Sequence, residues 1–191
     1  GMSAAKEARV RASKVLSGPA ETDNPQFGPA TQTLIGDRQA FVEAVRKALY
    51  ASKICSYAQG FVQLQAASEE HDWGLNYGDC ALLWRGGCII QSRMLGDLAT
   101  SFENESIIHL FESTHFKSAL SEAVEGLREL VLSGVKYALP IGTLSSSLSY
   151  YDTLHCSDLP VNMVQAQRDF FGSHTYERKD QPGIFHHDWP I

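Results

Sequence analysis

The sequence lacks the short motifs by which many nucleotide-binding and hydrolytic chains are recognised. No G-x-G is present, which excludes the dinucleotide-binding fingerprint and the glycine-rich loop of protein kinases. The P-loop, the H-E-x-x-H zinc motif and the G-x-S-x-G nucleophile motif are missing as well. These patterns alone indicate a protein without a recognisable cofactor cradle or catalytic centre.

Cysteine and long apolar runs are also scarce. The 4 cysteines are too few for a disulfide scaffold and no two form a C-x-x-C, so we expect buried free thiols, no zinc site and a reducing, cytoplasmic setting. The adjacent His186 and His187 face opposite ways on an extended chain and predict no metal site either. No stretch approaches the roughly 18 apolar residues of a membrane span, and the polar residues 1–11 do not resemble a signal peptide.

Positive charge is the third shortage. The chain of 191 residues has 16 Lys and Arg against 22 Asp and Glu, a formal net charge of −6. A general nucleic-acid or anionic-membrane binder needs a basic surface, so neither kind of partner is expected. With 43% apolar and 20% charged residues, the composition is that of an ordinary globular protein that can bury a sizeable core.

Apolar residues recur at helical spacing over most of the chain, whereas alternating strand patterns bounded by turns are almost absent. The sequence therefore predicts an all-α fold. Its main feature is a helix from Arg38 to about residue 72, capped by Asp37, whose small central residues let other helices approach closely. We expect this long central helix to be packed by shorter helices. Those are predicted over residues 3–16, 78–85, 88–99, 106–112, 116–133, 143–155 and 158–172.

Local signals predict where several helices begin and end. Asn76 is expected to cap the helix that follows the Trp73–Gly74 turn, and Gly134 is expected to end the helix that begins near residue 116. Asp158 is the predicted cap of the last helix, with Pro160 in its first turn.

Two segments are predicted to be irregular. Residues 17–36 are rich in Pro and Gly and are expected to form a surface excursion. Residues 173–191 are expected to form an extended tail. Phe185 and Trp189 make its end aromatic, whereas free termini are normally polar, so we expect the tail to dock on another surface.

Arg168 and His174 form a candidate anion site. Arg168 lies in the last predicted helical turn, Gly172 is expected to let the backbone reverse, and His174 follows. A guanidinium offers a fixed fork of donors that matches phosphate or carboxylate oxygens, and an imidazole adds a pH-dependent donor. From spacing alone, an Arg that satisfies the last helical carbonyls and an unrelated His in the tail explain the pattern better.

Seven short stretches carry a family resemblance. They are residues 12–19 (ASKVLSGP), 48–54 (ALYASKI), 56–60 (SYAQG), 75–78 (LNYG), 84–90 (WRGGCII), 159–162 (LPVN) and 165–176 (QAQRDFFGSHTY). In this order they resemble the C-terminal part of the decarboxylating 6-phosphogluconate dehydrogenase family. The resemblance covers nearly the whole chain.

The resemblance implies an enzyme that oxidises 6-phosphogluconate with NADP, releases carbon dioxide and yields ribulose 5-phosphate, in the pentose phosphate pathway of gluconate utilization. It also implies a homodimer in which the tail crosses to the partner subunit. There Arg168 and His174 match the pair that binds the substrate phosphate. On this basis residues 1–172 belong to the helical domain and residues 173–191 form the crossing tail.

The same resemblance implies that less than half of a complete family member is represented. The family's Rossmann domain and its catalytic Lys and Glu have no matching positions, so no catalytic, cofactor-binding or metal-binding residue is predicted, and NADP is not expected to bind. Lys53 is interpreted as a surface or interhelical lysine. We expect the isolated chain to be inactive, and to contribute dimerisation and phosphate binding in trans. The alternative is a non-catalytic helical dimerisation or binding module derived from that enzyme.

Overall fold

The computed structural model describes residues 5–16 and 37–189, most of which are helical. The helices are α1 Lys6–Ala12, α2 Arg38–Glu70, α3 Tyr77–Leu83, α4 Met94–Asn104, α5 Thr114–Lys136, α6 Gly142–His155 and α7 Asn162–Gly172. A 3₁₀ turn covers Leu110–Glu112, and two short strands, β1 Tyr176–Glu177 and β2 Ile184–Phe185, follow α7. The all-α prediction is confirmed. The predicted excursion over residues 17–36 lies outside the described residues.

The contacts divide the chain into two units, with the division inside α6. We call Gly1–Tyr150 the core unit and Tyr151–Ile191 the tail unit. The predicted domain bounds, 1–172 and 173–191, follow from the family resemblance and stay predictions.

The centre of the core unit is the packing of α2 along α5. Gly126 of α5 lies directly against α2: a Cβ at this position would be 2.6 Å from Cβ of Lys47 and 3.0 Å from the carbonyl oxygen of Ala44. Because such distances are below van der Waals contact, only glycine lets the two helices come so close. Large buried side chains fill the remaining space: Ile54, Phe61, Leu95, Leu98, Leu110, Phe116 and Leu127.

Side-chain caps begin two of the helices as predicted. The carboxylate of Asp37 accepts hydrogen bonds from the backbone N–H groups of Gln39, at 2.8 Å, and Ala40, at 3.3 Å. The side chain of Asn76 accepts one from the N–H of Asp79 at 3.1 Å. These caps satisfy donors that have no partner inside the helix, so the predicted starts of α2 and α3 are confirmed.

The predicted helix over residues 88–99 starts six residues late, at Met94. Its first part is not helical, and there the Tyr57 hydroxyl of α2 donates a hydrogen bond to the carbonyl of Ile90. Of the helix predicted over residues 3–16, Lys6–Ala12 is helical, residues 13–16 are not, and residues 3 and 4 lie outside the described residues. Of the helix predicted over residues 106–112, only the 3₁₀ turn at Leu110–Glu112 forms.

Gly134 does not end α5, which continues to Lys136. The residue is buried, and the side chain of Ile141 occupies the space that a Cβ at Gly134 would need. Its glycine identity therefore serves packing rather than helix termination. The chain turns later, at Ala138, where φ is +52°.

The start predicted for the last helix is wrong. Asp158 does not cap α7: its carboxylate forms an ion pair with Lys179 of the tail, and the helix begins only at Asn162 without a side-chain cap. Pro160 also disfavours helical backbone at the residue before it, which delays the start.

The tail is more ordered than predicted. β1 and β2 pair in antiparallel register, with Tyr176 opposite Phe185 and Glu177 opposite Ile184. The tail thus turns back on itself instead of running on as an irregular extended chain.

All four cysteines are free thiols, but the expectation that all of them are buried is wrong. Cys55 is buried in α2, Cys80 and Cys88 are half-buried, and Cys156 is exposed. Cys156 follows the end of α6, where its thiol donates to the carbonyl of Asp158 at 3.0 Å. Over residues 5–16 and 37–189, no helix is both long and apolar enough to cross a membrane.

Candidate functional site

The C-terminal end of α7 brings Arg168 and His174 to the same place. The backbone N–H of His174 donates to the carbonyl of Arg168 at 3.4 Å, and both side chains are exposed. The backbone reverses at Ser173, which has φ of +50°, and not at Gly172, where the sequence placed the reversal. The two predicted phosphate-binding residues are therefore neighbours in the fold although six positions separate them.

Gly172 has a different role from the predicted one. It is the last residue of α7, and the imidazole of His174 lies over it: a Cβ at Gly172 would be 2.8 Å from Nε2 of His174. Any other residue here would push the ring away. The absence of a side chain at Gly172 therefore leaves the space that the His174 imidazole occupies.

Gln165 links the two sides of this helix end. Its Oε1 accepts a hydrogen bond from Nη1 of Arg168 at 3.3 Å, and its Nε2 donates to the carbonyl of Thr175 at 2.5 Å. One amide therefore holds both the guanidinium and the residue after His174. The sequence analysis missed Gln165, because its importance depends on the turn that places Thr175 over α7.

The electrostatics of the site depend on its side chains. The C-terminal end of a helix carries a partial negative charge, which stabilises a cation and disfavours an anion. An anion bound here must therefore be held by the guanidinium of Arg168 and by donors of the imidazole. The arrangement suits a doubly charged group such as phosphate, because a fork of N–H donors matches its oxygens.

The carboxylate of Asp169, next to Arg168, is completely buried and was also missed. Oδ1 accepts hydrogen bonds from the N–H of Thr175 at 3.0 Å and from Nδ1 of His186 at 2.8 Å. Oδ2 accepts from the N–H of His187 at 3.0 Å and from Nε1 of Trp189 at 2.9 Å. The end of the tail is thus fastened to α7 of its own chain.

The pKa of Asp169 follows from these contacts. Burial alone would raise it, but the hydrogen bonds from His186, the backbone of His187 and the indole of Trp189 outweigh burial and hold the pKa well below its usual range. The carboxylate is therefore ionised at neutral pH, and it accepts from four donors without a proton of its own.

Lys53, interpreted from the sequence as a surface or interhelical lysine, is half-buried in the core unit, where its ammonium donates to the hydroxyl of Ser92 at 3.1 Å. It lines a mostly apolar groove of about 340 Å³ together with Tyr57, Trp84 and Ile90. Within the described ranges, no cluster of three or more His, Cys, Asp or Glu side chains could hold a metal ion.

Comparison with known proteins gives a consistent family. The family model described as 6-phosphogluconate dehydrogenase, C-terminal domain, matches residues 1–189. The decarboxylating 6-phosphogluconate dehydrogenase of Staphylococcus aureus (strain N315) is 45% identical over 189 residues, which are 98% of this chain and 38% of that protein. That of Staphylococcus epidermidis (strain ATCC 12228 / FDA PCI 1200) is 46% identical with the same coverage.

A solved structure agrees. Plasmodium falciparum 6-phosphogluconate dehydrogenase, described in its apo form and in complex with its cofactor NADP+ and its substrate 6-phosphogluconate, has a TM-score of 0.84 and 38% identity. The match covers 98% of this chain and 38% of that chain. The present chain thus spans less than half the length of these relatives. The fold, the family model and the relatives together establish that the chain belongs to the 6-phosphogluconate dehydrogenase family and corresponds to its C-terminal domain.

Proposed function

We propose that this chain is the C-terminal part of an NADP-dependent decarboxylating 6-phosphogluconate dehydrogenase, and that it contributes dimerisation and binding of the substrate phosphate. In the complete enzyme the reaction oxidises 6-phosphogluconate and releases carbon dioxide, which leaves ribulose 5-phosphate. The proposal includes a reducing, cytoplasmic setting, with which four free thiols are consistent. The pentose phosphate pathway is the corresponding metabolic route.

The observation that carries this proposal is the juxtaposition of Arg168 and His174 at the end of α7. We call this pair the phosphate clamp. Both side chains are exposed, their backbones are joined by a hydrogen bond, and Gly172 and Gln165 support them from either side. A guanidinium and an imidazole carried by the same helix end supply the donors that a phosphate dianion needs.

The phosphate takes no part in bond making or breaking, so the role of the clamp is to position the substrate. Binding energy obtained at a remote group holds the reacting carbon in place for chemistry elsewhere. Loss of the charge-assisted contact to Arg168 costs about 2 to 3 kcal/mol of binding, or roughly a hundredfold in affinity. We expect this loss to appear mainly in KM.

The described residues do not fit NADP. A dinucleotide cradle needs a strand, a glycine-rich turn and a helix in succession, whereas the strands described here are the two-residue pair β1 and β2 of the tail. The proposal assigns cofactor binding and the acid–base groups to the remaining part of the relatives, which this chain does not match. It predicts that the isolated chain does not reduce NADP.

The exposed apolar residues of α7 support a partner. The exposed fractions of Met163 and Phe171 are 74% and 79%, and Val164 and Phe170 are about half exposed. Apolar groups concentrated on one short helix are typical of an interface. We propose that a second copy of the chain covers them in a homodimer, and that α7 crosses to the partner together with the tail, because Asp169 binds the two to each other.

Two experiments test this function. In the first, 6-phosphogluconate, inorganic phosphate and gluconate are titrated into the chain while NMR signals of Arg168 and His174 are followed. Both phosphate-containing ligands should shift these signals and gluconate should not, and Arg168→Ala should abolish the shift of the His174 signal. Arg46→Ala, which removes an exposed guanidinium from α2, is the matched control and should change nothing.

In the second experiment, this chain replaces the corresponding 38% of the Staphylococcus aureus enzyme. An active hybrid, in which Arg168→Ala raises KM for 6-phosphogluconate about a hundredfold with little change in kcat, is the expected result. An unchanged KM would remove Arg168 from the substrate site.

The alternative, a non-catalytic dimerisation module derived from the enzyme, shares the interface but needs no clamp. It predicts a dimer that ignores phosphate and a hybrid without activity. Light scattering at micromolar concentration tests what the two proposals share: both expect a dimer, and a monomer would contradict both.

A further inference from the structure

The backbone on either side of His174 is held in an unfavourable conformation. Ser173 has φ of +50° and Thr175 has φ of +64°, although neither is glycine and Thr175 is β-branched. Left-handed backbone at a β-branched residue is rare, and it persists only where surrounding contacts impose it. The turn that carries His174 is therefore fixed by its surroundings rather than by its own preference.

Two side chains of α7 impose this conformation on Thr175. Asp169 accepts the hydrogen bond of its backbone N–H at 3.0 Å, and Gln165 donates to its carbonyl at 2.5 Å. Gln165 and Asp169 are four positions apart and so lie on one face of the helix. Together they form hydrogen bonds with both the backbone N–H and the backbone carbonyl of Thr175.

Each of these side chains also holds a second element. Gln165 accepts a hydrogen bond from Nη1 of Arg168, which fixes one edge of the guanidinium. Asp169 accepts from His186, His187 and Trp189, which fixes the end of the tail. The ring of Trp189 then packs edge-on against Phe170, with 5.6 Å between the ring centroids.

We propose that Gln165 and Asp169 are positioning residues of the phosphate clamp: Gln165 sets Arg168 and His174 relative to each other, and Asp169 makes this geometry depend on the seated tail. The inference rests on the proposed function, because it needs the clamp to bind a phosphate. Neither residue touches the ligand. Release of the tail disorders the turn at Thr175, and the imidazole and guanidinium then separate.

The chemistry of Asp169 favours a carboxylate over an amide. Its two oxygens face four donors, two on each side, of which three are N–H groups that cannot become acceptors: those of Thr175, His187 and Trp189. An amide in the same place would direct its NH₂ group at one or two of these donors in either orientation. Asp169→Asn therefore keeps the shape of the side chain and breaks the contacts.

The test follows phosphate affinity and tail seating separately. Inorganic phosphate is titrated into the chain, and the indole N–H signal of Trp189 reports the tail. Gln165→Met should weaken phosphate binding about tenfold, which corresponds to about 1.4 kcal/mol, while the Trp189 signal stays in place. The reason is that Arg168 and the Thr175 carbonyl lose the hydrogen bonds that hold them. Asp169→Asn should shift the Trp189 signal and weaken phosphate binding to a similar extent.

Controls make the outcomes distinct. Gln59→Met, the same substitution on α2, should leave affinity and the Trp189 signal unchanged. If Gln165→Met binds phosphate as the unmodified chain does while Arg168→Ala does not, the positioning role is wrong and the clamp stands. If Arg168→Ala also binds normally, the proposed function fails. An unmoved Trp189 signal in Asp169→Asn overturns the link to the tail.

A substitution that prevents folding is recognised by loss of helical circular dichroism. Should Asp169→Asn not fold, the Gln165→Met result decides the positioning role, and Trp189→Phe replaces Asp169→Asn because it removes one donor and keeps a ring. It should then lower phosphate affinity by a smaller factor, about twofold to threefold. No change in affinity would contradict the dependence on the tail.

Discussion

The core unit and the tail unit are each stabilised internally by a different kind of contact. In the core unit, helices α2 and α5 approach until Gly126 touches the α2 backbone, and apolar side chains fill what is left. In the tail unit, the one buried residue among those described is a charged group, Asp169, and the large apolar side chains of α7 are exposed. Close packing of complementary surfaces stabilises the core unit, whereas directed hydrogen bonds stabilise the tail unit.

The comparison teaches where function can be placed. A close-packed helix pair keeps its geometry without help, because any shift opens a cavity or creates a clash. A segment tied by a few hydrogen bonds to one carboxylate, as residues 175–189 are tied to Asp169, can be seated or released while the helix that carries the carboxylate persists. The residues proposed to bind phosphate, Arg168 and His174, lie next to this carboxylate in the chain.

The largest effect is expected from breaking the helix pair. Gly126→Ala places a Cβ where α2 already lies, and we expect it to lower the free energy of unfolding by about 2 to 3 kcal/mol. Gly60→Ala is the matched control: this exposed α2 glycine has open space around it, so the same change should raise the free energy of unfolding by about 1 kcal/mol. Urea unfolding followed by circular dichroism measures both. If both substitutions changed the free energy of unfolding equally, helix propensity and not the close approach of α2 and α5 would determine the effect of Gly126→Ala.

A second prediction concerns acid and the tail unit. The pKa of Asp169 lies below the ordinary value of 3.8, so its contacts stabilise the folded state fully above pH 3.8 and are lost as the pH falls through the lower, folded-state value. We expect the NMR contact between the rings of Trp189 and Phe170 to persist down to pH 4 and to be lost only in stronger acid. In Asp169→Asn this contact should be weakened at every pH. Its loss from the wild-type chain above pH 5 would contradict this assignment.

The smallest effect is a difference in thiol reactivity between the units. Burial raises the pKa of the Cys55 thiol in α2 to about 11, so this group should react with a thiol reagent at neutral pH only on unfolding. Cys156, exposed beyond the end of α6, should react at once. Cys55→Ala and Cys156→Ala assign the two phases. Fast labelling of Cys55 in the folded protein would mean that the core unit opens readily.

The sequence predicted the core unit better than the tail unit, and the reason is locality. Three predictions that depend only on neighbouring residues are confirmed. They are the cap at Asp37, the cap at Asn76 and the 33-residue helix Arg38–Glu70. The failures depend on distant partners. The helix predicted over residues 88–99 begins only at Met94, and in its non-helical part the carbonyl of Ile90 accepts a hydrogen bond from Tyr57 of α2.

The candidate site divides in the same way. Arg168 and His174 were predicted from the family resemblance, whereas their spacing alone favoured a surface Arg and an unrelated His, and their supports were not predicted. Gln165 is an ordinary helical residue until a turn places Thr175 above it. Asp169 looks like any surface carboxylate in sequence, because its donors lie 17 to 20 positions further along the chain. No local pattern contains that information.

The attachment of the tail has a consequence for chain length. Three of the four donors to Asp169 lie within residues 186–189. A chain cut before His186 would lose these three donors together with the side chains that cover the carboxylate, and only the backbone N–H of Thr175 would remain as a donor. Asp169 would then be open to water, so the order of the end of α7 depends on residues 186–189.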